Sequence, residues 1–461
     1  MEKIGILVVS YGSREVAMVD AFSRSKKYKV DLYIADHYRN PFNVARAKEH
    51  AVISDLGVEN ICKFAEKHKD SINFGVVGPE APIIGGVRDL VEKETGIPII
   101  CPTKEYAIEG SKIAQRHLFE KVVPEANPRF KVFDPKDYSG AADVKEALWR
   151  WLDEMDNQVA VKPDGATAGK GVGVWGDHFT DREQLFEHFL SNYRYGPVIV
   201  EEKVVGEESS FQAFCDGKHL IPLPETRDHK RAFDGDKGPN TGGMGSYKDV
   251  ENWLPFMSRE EWEREVDIAN KLFKSLKGRG SNPGLRGIPF YLAFMHTRDG
   301  LKILECNSRP GDPEIQNLLP ILRGDFVDVC LRMVEGTLTK VEFERQATVT
   351  TYKVPPTYGG KEKEFTGDRR VDLSEAYKLS KKYRGKMRIY PAALELKDGE
   401  TYTLTSRTVC VVGIADNIYD AREISLRGID AIKGGSLWSR RDIASKEHIQ
   451  KSINHMKMLR S

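Results

Sequence analysis

The sequence predicts a multidomain α/β and α+β chain: an N-terminal parallel sheet, a central section of antiparallel hairpins and a β-rich C-terminal section. Three observations carry this. Short β-branched runs alternate with helix-spaced stretches through the first hundred residues. From residue 159 the spacing changes to paired short strands around Gly-containing turns. Beyond about residue 337 the apolar runs are again strand-like and flank a charged stretch at 361–388.

The chain has 461 residues, which at roughly 100–200 residues per domain allows two to four domains. It is 40% hydrophobic and 30% charged, enough apolar content for real cores. A net charge of +1 supplies no global field to recruit nucleic acid or an anionic membrane, so neither is expected as a partner. The six cysteines are scattered, with no CxxC pair, and read as reduced core thiols. No stretch reaches the ~18 apolar residues of a membrane span. The N-terminal apolar run, residues 4–9, is too short for a signal peptide and is read as a first buried strand. A cytoplasmic location is expected.

Residues 4–9, 30–35, 74–77 and 97–101 read as strands, with helices at 61–68 and 87–94 between them. This βαβα pattern implies a Rossmann-like parallel sheet with helices on its faces. Ligands of such sheets gather at the carboxyl ends of strands. Those ends carry Gly12, Ser13 and Arg14, then Asp36 to Arg39, then Glu80; Arg14 and Arg39 could hold a phosphate. A helix is expected from Thr103 to just before Pro124, a connector over 127–140 and a helix over 141–154. Strands at 159–162 and 172–175 flank a Gly-rich turn, and 198–202 and 210–215 flank another loop. Asp216-Gly217 and Asp299-Gly300 are hairpin signals. Strands follow at 348–354 and 408–414, and the charged helix at 418–426 reads as a solvated face.

Four segments carry chemistry. The Gly-rich turn, Lys162 to Val174 with Gly169, Lys170 and Gly171, lacks the spacing of a Walker loop and lies between two strands. Bare backbone amides beside two lysines suit a flap over polyphosphate, although a plain Gly-rich hairpin would look the same. The run from Val198 ends in Glu201 and Glu202 and continues to Val204 and Glu208. Backbone beyond such a strand can meet an adenine edge, and a carboxylate can accept from ribose. In the third, Glu305, Asn307 and Arg309 alternate along one strand and would share a face if the strand continues. Carboxylate, amide and guanidinium together suit magnesium and a phosphoryl group. The fourth, 228–245, is too glycine-rich for helix or strand and too dense in ionisable groups for a linker.

The runs GPEAPIIGGV, EGSK, VKPDGATAGKGV, VEEKVVGEES, DHKRAFDGDKGPNTGGMG and LECNSRPGDPEIQ together resemble the phosphoribosylamine–glycine ligase (glycinamide ribonucleotide synthetase) family of ATP-grasp enzymes in purine biosynthesis. The resemblance implies an N-terminal domain over 1–105, an ATP-grasp domain over 106–336 with a mobile lid at about 125–196, and a C-terminal β-rich domain over 337–461. It implies ATP with Mg²⁺ or Mn²⁺, and glycine and phosphoribosylamine as substrates joined through an acyl phosphate. Lys112, Lys162, Gly169, Lys170, Gly171, Glu201, Glu202, Val204 and Glu208 would bind ATP, and Glu305 and Asn307 the metal. Arg309, Lys230 and Asp228 would be catalytic. Gly12, Ser13, Arg14, Glu80, Asn240, Thr241, Gly242, Gly243 and Arg309 would meet the substrates. The assembly would be a monomer or dimer.

The pattern departs from the family at both ends. The family's Gly-Gly-Arg-Glu-His-Ala run stands here as Gly12-Ser13-Arg14-Glu15-Val16-Ala17, its Pro-Gly-Asn-Ala-Gly turn as Asp36 to Pro41, and the Phe after Arg309 as Pro310. Two alternatives stay open from sequence: a related ligase with another amine or acid, and a non-catalytic ATP-binding regulator.

Overall fold

The structure, a computed structural model, describes residues 1–165, 171–364, 367 and 369–461. The N-terminal sheet holds β1 (Glu2–Ser10), β2 (Tyr28–Asp36), β3 (Ala47–Val52), β4 (Phe74–Val77) and β5 (Ile99–Ile100). Its order is β3-β2-β1-β4-β5 and every pair is parallel. β1 is apolar on both faces because both are covered. Leu7 and Val9 enter a core under the helices Val58–Lys67 and Val87–Thr95, while Ile6 and Val8 join the core shared with the rest of the chain. Strand order reverses beside β1, where the helices Ser13–Ser23 and Glu80–Gly85 begin, so the expected ligand-bearing strand ends meet there. β3 was not legible: it is a polar edge strand, AKEHAV.

The helix expected from Thr103 starts later. Two 3₁₀ turns, Lys104–Tyr106 and Ile108–Gly110, precede the helix Lys112–Val122, whose first turn is capped by the Ser111 side chain accepting from Ala114 N. The connector at 127–140 contains a strand, β6 (Phe130–Phe133). It joins β7 (Val159–Pro163), β8 (Gly173–Val174) and β9 (Val198–Glu202) in an antiparallel sheet of order β6-β9-β7-β8. The helices Ala141–Glu154 and Arg182–Tyr193 cover it, packing Leu148, Trp151 and Phe189 on Val161 and Val200.

β10 (Glu207–Cys215) turns at Gly217, with φ of +86°, into β11 (Leu220–Pro222). The segment 228–245 does form strands, contrary to the sequence reading. β12 (Arg227–Asp228) pairs with β15 (Gly245–Lys248), and between them β13 (Arg231–Phe233) pairs with β14 (Lys237–Asn240). Its glycines do not prevent the strands: Gly235, at φ of +76°, makes the turn, and Gly238, at φ of +80°, sits within β14 where the pairing with β13 slips by a residue. β16 (Gly287–Thr297) and β17 (Gly300–Asn307) complete a second antiparallel sheet, β11-β10-β16-β17.

The C-terminal sheet runs β12, β15, β18 (Ala347–Lys353), then the strands Val409–Ala415 and Met387–Pro391. Two of its strands therefore come from the middle of the chain. The helix Ile418–Ala431 is not simply solvated: it buries Ile418, Ala421, Leu426 and Ile429 against this sheet. Its close approach depends on Gly413, where an added Cβ would lie 1.9 Å from the Ala421 carbonyl oxygen. Among the described residues no helix is long and apolar enough to cross a membrane.

Because that obstacle is backbone, Gly413→Ala is expected to cost on the order of 1–3 kcal/mol. The measurement is the denaturant midpoint, with Gly140→Ala as the control, since nothing lies within 4 Å of its added Cβ.

Candidate active site

β17 carries one residue more than its partner. Ala293 pairs with Glu305 and Phe294 with Ile303, so Leu304 bulges. Before the bulge Leu301 and Ile303 point into the core; after it Cys306 and Ser308 do. Without the extra residue Glu305 would follow Ile303 inward, because strand side chains alternate strictly. The bulge turns Glu305, Asn307 and Arg309 to the cleft.

The bulge also frees a carbonyl that links the two four-stranded sheets. Arg116, 2% exposed, donates from Nη2 to Leu304 O at 2.7 Å and from Nη1 to Ile303 O at 2.8 Å. The same guanidinium grips Glu201 through Nε at 2.6 Å and Nη2 at 2.9 Å. Lys162 Nζ donates to Glu201 Oε2 at 2.7 Å and to Leu304 O at 3.3 Å. Burial pushes the Glu201 carboxyl up, but Arg116 and Lys162 more than reverse this and hold it at about 2. The Glu201 side chain is thus committed to protein cations, and its part in nucleotide binding would fall to its backbone.

The other expected ATP residues surround the same cleft. Lys112 Nζ donates to the Gly165 carbonyl, and Ser111 Oγ donates to Asp164 at 3.1 Å. Glu202 accepts from Arg129 N at 3.1 Å. Val204 lies in the non-strand passage between β9 and β10. Glu208, on β10, is 3.3 Å from Lys230 Nζ. The Gly171 carbonyl accepts from His188 Nε2 at 2.9 Å and Asn192 Nδ2 at 3.1 Å. Gly169 and Lys170 lie outside the described residues.

Burial raises the Glu305 carboxyl, but Lys230, Lys162, Lys112 and Arg309 outweigh it and keep it below its ordinary value. Lys230 Nζ is 4.0 Å from Glu305 Oε1. Glu305 is thereby kept ionised beside the Asn307 amide. Among the described residues no group of three or more His, Cys, Asp or Glu forms a metal cage. One carboxylate and one amide oxygen beside three lysines fit Mg²⁺, which takes its remaining ligands from phosphate and water.

Arg309 Nε lies 3.3 Å from Glu80 and 3.5 Å from Glu109. Glu109 in turn accepts from Ser308 N at 2.9 Å. Asp228 is half-buried, and desolvation, with Glu314 nearby, raises its carboxyl well above the usual range. Thr241 donates from N and Oγ1 to the Lys230 carbonyl at 2.7 and 2.8 Å, and Asn240 is exposed at the end of β14. Gly242 N donates to Tyr358 Oη at 2.9 Å, and its carbonyl accepts from Arg407 at 2.7 Å. Gly243, at φ of +109°, has no room for a side chain: an added Cβ would sit 2.7 Å from Asp228 Oδ1.

At the N-terminal sheet, Gly12 N donates to Glu15 at 2.9 Å. Ser13 hydroxyl pairs with Tyr352 and accepts from Gln316 at 3.0 Å. Arg14 is buried, donating to Glu15 at 2.6 Å and to the Pro310 carbonyl at 3.0 Å. Arg14 therefore braces the loop after β17 and Ser13 ties to β18 and the helix beyond that loop, while Tyr11, 42% exposed, and Glu80 stand nearer the opening. Arg39 is exposed, and its carbonyl accepts from Leu396 N at 2.8 Å.

Four residues escaped the sequence reading: Glu109, Arg116, Tyr358 and Arg407. Glu109 and Arg116 flank Lys112 in sequence, and only the former lies in a singled-out motif. Arg407 comes from the far C-terminal section, where it also donates to Asp312 Oδ2 at 2.8 Å.

Two antiparallel sheets closing on a cleft lined by lysines, with Glu305 and Asn307 at the end of β17 and Arg309 just beyond it, define an ATP-grasp protein. Two family models match: "Phosphoribosylglycinamide synthetase, N domain" over residues 4–109 and "Phosphoribosylglycinamide synthetase, ATP-grasp (A) domain" over 120–315. The phosphoribosylamine–glycine ligase of Methanocella arvoryzae is 37% identical over 458 residues, 99% of each chain. That of Methanobrevibacter smithii is 38% identical over 459 residues, 98% of this chain and 99% of its own. A crystal structure of the Thermotoga maritima phosphoribosylamine–glycine ligase matches with a TM-score of 0.74 at 24% identity, over 95% of this chain and 100% of that one. The chain belongs to the phosphoribosylamine–glycine ligase family.

Glu201 yields a pH prediction. Its carboxyl titrates near 4.3 when unfolded and at about 2 when folded. A depressed folded value contributes stability above the unfolded one, lost as pH falls through the window from about 4.3 to about 2, at most about 3 kcal/mol. Denaturant titrations across that window should show a steeper acid loss in the wild type than in Glu201→Gln; equal slopes would refute the assignment.

Proposed function

We propose that the protein joins glycine to 5-phosphoribosylamine at the expense of ATP, forming glycinamide ribonucleotide, ADP and phosphate. The observation that carries the chemistry is the convergence of Lys112, Lys162 and Lys230 on the cleft face bearing Glu305, Asn307 and Arg309. The substrate pair is supported by full-length relatives that bear that name.

In this reading a glycine carboxylate oxygen attacks the γ-phosphorus of ATP. The bond to the β-phosphate oxygen breaks, leaving ADP and glycyl phosphate. The amine nitrogen then attacks the glycyl carbonyl carbon, phosphate leaves with the bridging oxygen, and the nitrogen loses a proton. Such steps need charge neutralisation and alignment more than a covalent nucleophile. Lys112 and Lys162 meet the phosphates, with Lys162 kept in place by Glu201, which uses one of its three donors. Glu305 and Asn307 would hold Mg²⁺ or Mn²⁺, which would supply further positive charge to the phosphate oxygens. Arg309, steadied between Glu80 and Glu109, faces the transferred phosphoryl group and the acyl phosphate. Lys230, Asp228 and the backbone from Asn240 to Gly243 shape the substrate end of the cleft. The segment at about 125–196, which carries β6, β7 and β8, acts as the lid. The six cysteines are free and buried, in keeping with a reducing, cytoplasmic setting.

A second reading, the same acyl phosphate chemistry with another amine, is favoured by one feature. Arg14 is turned inward and Tyr11 occupies the strand end where the amine would lie.

ADP release by purified protein with ATP and Mg²⁺ tests both. Turnover is expected only when glycine and freshly made phosphoribosylamine are present together. Turnover with glycine and a different amine alone would replace the first reading with the second. Glu305→Ala should lower kcat/KM at limiting Mg²⁺ by on the order of a hundredfold; unchanged turnover would remove Glu305 from the metal site.

A further inference from the structure

The substrate end of the cleft uses one end of the β13–β14 hairpin, and nothing so far accounts for how the rest of that hairpin is held. β14 is exposed along its whole length, and Ala232 is the buried residue of β13. A two-stranded hairpin with so little apolar burial is marginal by itself. Its distal turn is instead gripped by the C-terminal part of the chain. Arg440 is 1% exposed. It donates from Nη2 to Asp236 Oδ1 at 2.7 Å and from Nη1 to the Arg231 carbonyl at 3.0 Å. Asp442 orients it, accepting from Nε at 2.6 Å and from Nη2 at 3.0 Å, and also accepts from Gly235 N at 2.8 Å. His448 Nε2 lies 2.8 Å from Asp236 Oδ2, and Asp234 accepts from Arg441 N at 2.8 Å. The His448 ring also packs 4.9 Å from that of His229, immediately before Lys230.

We propose that Arg440, with Asp236, Asp442 and His448, forms a positioning cluster that sets the hairpin so that Lys230 and the Thr241–Gly243 backbone face the cleft. A planar guanidinium spans three acceptors in fixed directions, which an ammonium cannot do. The cluster acts through Lys230 and touches no substrate. The inference rests on the proposed assignment of this hairpin end to the substrates.

The test uses the full chain with Asp236→Asn, Arg440→Lys and Lys230→Met. Asp236→Asn is the main variant, because Asp236 is partly exposed and its loss is the least disruptive to folding. It is expected to lower kcat/KM for glycine and for the amine by on the order of tenfold. ATP affinity should stay at the wild-type value. Amide exchange should accelerate in peptides covering 229–242 and not in those covering 287–307. Arg440→Lys, if folded, should do the same. Wild-type kcat/KM in Asp236→Asn while Lys230→Met is inactive would overturn the positioning role alone. Normal turnover in Lys230→Met would overturn the assignment of the hairpin to the site, and the inference with it. A parallel loss of ATP affinity, or faster exchange throughout, would also overturn it, since it would mark a general structural defect.

Discussion

A single buried guanidinium joins the parts of this molecule that must stay in register. Arg116 leaves water entirely, a loss that is costly unless every donor finds a strong acceptor. It finds Glu201 on β9 and the carbonyls of Ile303 and Leu304 on β17. Those acceptors lie on two different sheets, so the guanidinium can be satisfied only when the sheets meet at one separation. The same contacts stabilise the Leu304 bulge, whose carbonyl would otherwise be left without its ladder partner.

The site follows from that junction. The bulge sends Glu305, Asn307 and Arg309 to the cleft, and Glu201 holds Lys162 beside them. Positive groups surround Glu305, while Arg309 sits between two glutamates. Lys162, Lys230, Glu305 and Arg309 each have an opposite charge nearby. A polyanion with its metal can exchange for these contacts without any charge being left bare, which keeps the reorganisation on binding small.

The substrate end is built differently. β12 and β15 belong to the C-terminal sheet, so the segment between them hangs from one sheet and reaches the cleft of another. Arg407 and Tyr358 fix it at Gly242, and Arg440 fixes its distal turn. The N-terminal residue Arg14 supports the opposing loop after β17, and Ser13 meets Tyr352 of β18. Three sections of the chain thus meet around the proposed substrate end.

Much of this was legible in the sequence where burial is one-sided or complete. The run at 74–77 and the helix at 141–154 match their elements, because apolar spacing reports the buried face directly. β3 escaped because a polar edge strand leaves no such spacing, and β6 because its four residues, between Pro128 and Pro135, are too few to show a period. The expected helix start at Thr103 yielded to Ser111, the residue whose side chain caps the helix. The motif residues Lys112, Lys162, Glu305, Asn307 and Arg309 were readable as chemistry, since their residue types and order along the chain survive without coordinates. Arg116, Arg407 and Arg440 were not, because an isolated arginine in sequence looks the same whether it is solvated or buried. The sequence by itself determined the layered architecture and the family, and it named the residues proposed to handle phosphate and metal. Only the tertiary structure decided which way Glu305 points, what holds Lys162 and what anchors the substrate hairpin. Each of those depends on acceptors brought together from strands far apart in the chain, and on one unpaired residue in a strand whose neighbour alone reveals it.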